Sequence, residues 1–153
     1  MNIARAFLGI FLAAAFSQTS DSPPIIKVLV LDALNGKPQA GARVDFLCNE
    51  IPHRTDTFAT TNASGIAEVP YECKSGNKIE MGAEGADQKE GCGSGVSVTM
   101  DEVRATGVIA VPGSVGIGGI WCPDKISRKL KPVPGQVILF VKKPTWYQSH
   151  VAG

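Results

Sequence analysis

Residues 28–70 have the sequence VLVLDALNGKPQAGARVDFLCNEIPHRTDTFATTNASGIAEVP, and this stretch decides the fold. Residues 25–32 are apolar on both faces over much of their length, and apolar and polar residues alternate more clearly in residues 42–49. Two turn sequences, NGKP at 35–38 and NASG at 62–65, lie between the strand patterns. A period of two is typical of β-strands, and Asn-Gly readily adopts the positive φ angles of a tight turn. The pattern predicts four successive strands, the last two paired as a hairpin. They are residues 25–32, 42–49, 56–61 and 66–71.

The rest of the chain contains further strand patterns and few segments with a helical period. These strands are predicted at residues 78–83, 96–100, 105–111 and 136–141. The second and third of them are predicted to form another hairpin, and the glycine-rich residues 82–95 and 112–119 to form loops. With 17 glycines and 10 prolines, the composition favours a turn-rich β protein. We therefore predict an all-β fold, a single β-sandwich of about seven or eight strands.

The N-terminus has the pattern of an export signal. Arg5 is followed by an apolar run at residues 6–16, which is shorter than the roughly 20 residues that cross a bilayer and suits a signal-peptide core. Small residues at Ala15 and Ser17 predict cleavage before Gln18, and the protein is then secreted or periplasmic. The alternatives are a buried helix and a retained anchor. The predicted boundaries are a signal peptide at 1–17, a polar linker at 18–24, the sandwich at 25–144 and a tail at 145–153.

Charge gives no reason to expect nucleic acid or an anionic membrane as a partner. The chain has 15 Lys and Arg against 14 Asp and Glu, and removal of Arg5 leaves 14 of each. A neutral chain lacks the field that attracts polyanions. After the signal, no apolar segment is long enough to cross a bilayer, so no membrane span is expected in the mature protein.

The four cysteines, Cys48, Cys73, Cys92 and Cys122, are an even set in an exported chain and predict two disulfides. A metal site and free thiols are the alternatives, but no two cysteines have the close spacing that zinc ligands show. Of three connectivities we predict Cys48–Cys73 and Cys92–Cys122. The expected hairpin at 56–71 would return the chain towards Cys48, and the second bridge would tie the two glycine-rich loops.

Two segments carry a family resemblance. Residues 36–44, GKPQAGARV, and 60–70, TTNASGIAEVP, resemble the signature of bacterial Ig-like domains of the invasin type, carboxypeptidase regulatory-like domains and transthyretin-like domains. The resemblance implies an Ig-like or transthyretin-like sandwich that serves in adhesion, spacing or assisted folding. One enzyme with the transthyretin fold, hydroxyisourate hydrolase, uses an early-strand histidine and a C-terminal tyrosine-arginine-glycine-serine tail. This chain ends SHVAG, so that activity is not implied.

Catalytic candidates are few. His53 and His150 are the side chains best suited to proton transfer near neutral pH, but neither has a nucleophile motif beside it, and a solvated loop histidine is the simpler interpretation of both. The glycine-rich residues 113–119 lack the Lys-Ser/Thr that completes a phosphate-binding loop. We therefore expect no catalytic residues, no cofactor and no metal. A small secreted hydrolase with an unrecognised site is the alternative.

The aromatic residues near the C-terminus are the predicted binding residues. Trp146 and Tyr147 follow a strongly apolar strand and Pro144, where side chains can project from the end of the sandwich. Their alternative role, and that of Trp121, is to cover the end of the core. The sequence thus predicts a non-enzymatic binding or accessory module for an unknown protein or glycan partner. Asn62 matches a glycosylation sequon on a predicted turn, usable only in a eukaryotic host and expected to be bare.

Overall fold

The computed structural model describes residues 23–48, 57–74, 76–85, 92–111 and 123–142. The predicted signal peptide at 1–17 and tail at 145–153 lie outside this part of the chain. Within it, nine strands and one α-helix follow one another, and the all-β prediction is confirmed. They are β1 Ile25–Asp32, β2 Arg43–Cys48, β3 Phe58–Thr60, β4 Ile66–Pro70, β5 Ile79–Glu84, β6 Cys92–Gly93, β7 Gly95–Val98, α1 Met100–Ala105, β8 Val108–Ile109 and β9 Gln136–Lys142.

The strands form two sheets, as expected for a sandwich. In sheet A, β4 pairs with β1 and β1 pairs in parallel with β9, while β6 and β8 lie on the other side of β9 at its two ends. Sheet B is antiparallel throughout, in the order β3-β2-β5-β7. The first and last strands of the fold are therefore neighbours at the centre of sheet A.

The main core fills the space between the sheets. Strand β1 contributes Ile26, Val28 and Val30, none of which is exposed to solvent, and β2 contributes Val44. These residues occupy alternate positions, as the period of two predicted. Burial of such side chains stabilises the fold by about 1.5–3 kcal/mol each.

A second cluster lies on the outer face of sheet A. Ile138 and Phe140 of β9 point away from the main core and pack with Leu31 of β1. Ile126 and Leu130, on either side of a 3₁₀ turn at Ser127–Lys129, pack against this cluster. Strand β9 is therefore buried on both faces, which explains why its sequence, QVILFVK, is apolar without alternation.

The turn at residues 35–38 is stabilised by side chains that accept hydrogen bonds from backbone N–H groups two or three residues later. The Asp32 carboxylate accepts hydrogen bonds from the backbone N–H groups of Leu34 at 2.8 Å and Asn35 at 3.1 Å. The Asn35 side chain accepts from Lys37 N–H at 2.8 Å. Gly36 has a φ of +72°, as the Asn-Gly sequence predicted.

Thr61, directly before the turn at residues 62–65, forms hydrogen bonds with the segment that follows the turn at residues 35–38. The hydroxyl of Thr61 accepts from Ala42 N–H at 2.8 Å and donates to the Gln39 carbonyl at 2.6 Å. Gly65 has a φ of +73°, and a Cβ there would lie 2.9 Å from the Val30 carbonyl oxygen. The two segments that carry the family resemblance thus form one hydrogen-bonded unit.

Replacement of Thr61 by Val is expected to lower the free energy of unfolding by about 1–3 kcal/mol, the range for leaving a buried hydrogen-bonding group without its partner. Thr61 is only 5% exposed, and Val keeps the shape while removing the hydroxyl. The exposed neighbour Thr60 offers the control, because Thr60→Val should change stability by less than about 0.5 kcal/mol. Urea unfolding of both variants measures the difference, and equal effects would contradict the bridging role.

The predicted hairpin of residues 56–61 and 66–71 is wrong. Strand β3 pairs with β2 in sheet B, whereas β4 pairs with β1 in sheet A, so the chain changes sheet at the turn between them. The physical reason is the bonding of this turn to distant backbone. Thr61 N–H donates to Ala42 O at 2.9 Å and holds β3 beside β2, while Gly65 O accepts from Val30 N–H at 2.8 Å and places β4 beside β1.

The second predicted hairpin, of residues 96–100 and 105–111, is also wrong. Residues Met100–Ala105 form α1, β7 pairs with β5, and β8 pairs in parallel with β9. Thr99 caps the helix: its hydroxyl accepts from Glu102 N–H at 3.2 Å, and the Glu102 carboxylate accepts from Thr99 N–H at 2.7 Å. Within the described residues, no helix has the length and apolar character needed to span a membrane.

The capping box makes a pH-dependent contribution to stability. Hydrogen bonds from the backbone N–H and then the hydroxyl of Thr99 lower the pKa of Glu102 from its ordinary value. A lowered folded-state pKa stabilises the protein above the unfolded-state pKa, and this contribution is lost as the pH falls through the folded-state value. Melting temperature between about pH 5 and 3 should therefore fall less in Glu102→Gln than in the wild type. Asp101→Asn is the control, and parallel curves for wild type and Glu102→Gln would contradict the prediction.

The predicted strand at 78–83 is confirmed as β5, and the predicted loop at 82–95, which overlapped it, contains strand residues at both ends. Glu84 still belongs to β5, and the chain passes from β6 in sheet A to β7 in sheet B at Ser94. The Ser94 hydroxyl accepts from Phe140 N–H at 2.6 Å, and the Ser94 carbonyl accepts from Ala83 N–H at 3.1 Å. Ser94 therefore joins the two sheets where the chain crosses between them.

The Cys48–Cys73 disulfide is confirmed, with a Cα–Cα distance of 5.5 Å. The expected hairpin does not bring the two together. Instead, Cys48 at the end of β2 pairs with Ile79 at the start of β5, and Cys73 lies in the connection that leads into β5. Cys92 is buried and disulfide-bonded, but Cys122 lies outside the described residues, so the Cys92–Cys122 bridge stays a prediction.

Candidate binding groove on the outer face of sheet B

The outer face of sheet B carries a groove of about 990 Å³. The strand register fixes its neighbours: Asp45 of β2 lies opposite Gly82 of β5, and Gly82 lies opposite Gly95 of β7. Most of the lining residues on β2, β5 and β7 alternate away from the core. The lining also includes three residues from the alternate positions of these strands and two residues at and beyond β8 of sheet A: Phe46, Met81, Val96, Ile109 and Val111. The groove therefore has glycine backbone of β5 and β7 at its floor, with Glu80 and Glu84 on either side of Gly82 along β5.

Gly82 is a glycine that the fold does not require. It has no positive φ, and a Cβ built on it meets no atom within 4 Å. Gly65 and Gly107, in contrast, have positive φ angles and would place a Cβ within 3 Å of backbone atoms. Glycine weakens a strand interior and often marks a site where a ligand or another backbone approaches closely.

The charged side chains that line the groove are mostly acidic. Among the described lining residues, Asp45, Glu80 and Glu84 are carboxylates, and Arg43 is the basic one. Arg43 Nε donates to Asp45 Oδ1 at 2.7 Å, and its guanidinium lies 4.4 Å from the centre of the Phe58 ring. Arg43 is thus held in place by both an ion pair and a cation–π contact.

Apolar side chains stand exposed on the same face. Phe58 on β3 is 55% exposed and Leu47 on β2 is 40% exposed. On sheet A the corresponding outer face around β9 is packed against Ile126 and Leu130. The two sheets therefore differ, and sheet B presents its outer apolar residues to solvent.

The groove can bind a partner by shape, apolar contact and charge. Three carboxylates lie near its floor, but within the part of the chain that the structure describes, no group of three or more His, Cys, Asp or Glu is placed to hold a metal ion. Ionised carboxylates accept hydrogen bonds and can pair with a cation from a partner.

The described residues that were chosen from the sequence do not line the groove. Cys48 and Cys73 come together as predicted. Asn62 lies on an exposed turn, where its side-chain oxygen accepts from Ser64 N–H at 2.9 Å. Five further candidates and the glycine-rich residues 113–119 lie outside the described residues and stay predictions. These five are His53, Trp121, Trp146, Tyr147 and His150.

Sequence reasoning missed the groove, although β5 contained a signal for it. Ile79, Met81 and Ala83 alternate as the buried face of this strand. The intervening residues Glu80, Gly82 and Glu84 are its outer face, and two carboxylates flanking a glycine there could have been noticed. Asp45 and Gly95 could not have been assigned to the groove from the sequence, because their positions beside Gly82 depend on the order of the strands in the sheet.

Comparison with known proteins gives no relative: no family model matches the chain, no curated protein matches it, and no solved structure matches it. What the groove binds is therefore inferred from its own residues.

Proposed function

We propose that this protein is an exported, non-enzymatic binding or accessory module, secreted or periplasmic, that recognises a protein or glycan partner with the outer face of sheet B. The observation that carries the proposal is Gly82, a strand-interior glycine that no backbone angle or neighbouring atom requires, at the floor of a groove of about 990 Å³. An open floor of this kind allows a ligand to approach the sheet backbone.

We also propose that the sandwich is of the Ig-like or transthyretin-like kind, as the resemblance implies. Support comes from the signature residues themselves, since Thr61 bonds to Gln39 and Ala42, and Gly65 bonds to Val30. Proteins with this signature act mostly in adhesion, spacing or assisted folding, and a binding face fits each of these roles.

Export is supported by the Cys48–Cys73 disulfide, because disulfides persist in oxidising compartments. The alternative function, a small secreted hydrolase, depends on His53 and His150, which lie outside the described residues. It stays a hypothesis without a supporting observation.

The test fills the groove without disturbing the fold. Gly82→Tyr should leave stability unchanged or raise it by about 0.5–1 kcal/mol, since glycine is unfavourable inside a strand. Ligands would be selected on the full protein from a library of random dodecapeptides and from a glycan array. We expect some of them to bind the wild type and to lose binding to Gly82→Tyr.

Ile25→Tyr is the matched control, because it adds an aromatic ring at an exposed strand position of sheet A. Groove-dependent ligands should bind this variant as they bind the wild type. Ligands that bind all three proteins equally, or a failure of both libraries to yield any ligand sensitive to Gly82→Tyr, would overturn the proposed function.

A further inference from the structure

We infer that the occupant of the groove is an extended, basic segment of a partner protein, with a lysine or arginine side chain placed over Gly82. This inference rests on the proposed function and names the partner's chemistry. The charges around the groove floor, the pairing of Arg43 and the exposed apolar side chains on the same face support it.

Carboxylates surround the floor at Gly82 on three sides. Asp45 lies directly across on β2, and Glu80 and Glu84 lie two residues away along β5 on the same face. Two residues of a strand span about 7 Å, so each glutamate can reach a group that stands above Gly82. The fourth side is Gly95, which adds no side chain.

The groove's own cation does not neutralise this charge. Arg43 is paired with Asp45 at 2.7 Å and rests on Phe58, and its cross-strand neighbour is Glu84. Three carboxylates against one guanidinium leave two negative charges among the described lining residues. Neither Glu80 nor Glu84 forms a salt bridge with another described residue. A complementary occupant is therefore positively charged.

The apolar residues favour a peptide over a small cation. Phe58 lies across β2 from the floor, next to Asp45, and Leu47 is the cross-strand neighbour of Glu80. A lysine or arginine carries an apolar stem that can lie along such side chains while its charged end meets carboxylates. In an extended segment, alternate side chains are about 7 Å apart, which matches the spacing of the groove residues along β5.

The test uses the dodecapeptides that lose binding to Gly82→Tyr. We expect these groove-dependent peptides to be enriched in Lys and Arg. A synthetic copy of the strongest should bind about five- to tenfold more weakly when its lysines are acetylated, and also when the protein carries Glu80→Gln and Glu84→Gln. Its affinity should fall when sodium chloride is raised from about 0.05 to 0.5 M.

Glu68→Gln removes an exposed carboxylate from the opposite sheet and should leave peptide affinity unchanged. Groove-dependent peptides that are neutral or acidic, or groove-dependent ligands that are only glycans, would overturn this inference and leave the proposed function in place. An equal loss of affinity in Glu68→Gln would also overturn it, because the effect would then be one of overall charge. The absence of any groove-dependent ligand would instead overturn the proposed function.

Discussion

Phe140→Ala is expected to lower the free energy of unfolding by about 3–5 kcal/mol, the usual effect of truncating a buried aromatic side chain. Phe140 is fully buried, and its side chain lies on the outer face of sheet A rather than between the sheets. Its neighbours there include Leu31 and Ile138, with Ile126 and Leu130 partly buried against the cluster. A cavity at this position cannot collapse easily, because β9 is held by β1 on one side and by β6 and β8 on the other.

Urea unfolding of Phe140→Ala, of three further variants and of the wild type tests whether this face is packed. Ile126→Ala should cost less than Phe140→Ala, since Ile126 is only partly buried. The double variant should show a coupling of at least about 0.5 kcal/mol, as expected for side chains that share one packed cluster. Val133→Ala, at a position that is 50% exposed, is the control. A Phe140→Ala effect below about 1 kcal/mol would show that this face is not packed, and it would then compete with sheet B as a binding face.

The strands most accurately predicted from the sequence are those with a local signal. Strand β1 occupies the predicted residues, and β9 extends one residue beyond them. Alternation or continuous apolar character is a property of neighbouring residues, so it needs no knowledge of the rest of the chain. The turn at Gly36 is also predicted from neighbouring residues alone, the Asn-Gly pair at 35–36.

The pairing of the strands was not predictable in the same way. The sequence NASG at 62–65 suits both a hairpin and a crossing between sheets, and the choice depends on hydrogen bonds that join Thr61 to Ala42, 19 positions away, and Gly65 to Val30, which is still more distant in the chain. The predicted Cys48–Cys73 disulfide is therefore correct although the hairpin used to predict it is not. Helix α1 is different, because Thr99 and Glu102 formed a capping box that could have been recognised.

Gly107→Ala is the other substitution with a large expected effect. Gly107 follows α1, has a φ of +71°, and a Cβ there would clash with the carbonyl oxygen of Val133. The left-handed conformation costs an L-residue about 1–2 kcal/mol. Relief of the clash adds about 1–3 kcal/mol, because the neighbouring atoms are backbone and cannot rotate away. We expect a total loss of about 2–5 kcal/mol in urea unfolding.

Gly135→Ala separates the two contributions. Gly135 has a φ of +81°, nearly that of Gly107, but a Cβ there meets no atom within 4 Å. It should therefore show the conformational part alone, about 1–2 kcal/mol. The excess in Gly107→Ala measures the close approach of Val133, and equal effects in the two variants would contradict that contact. Val108, the residue after Gly107, pairs with Val137, so the close approach of Gly107 and Val133 lies beside the first pair of β8 and β9.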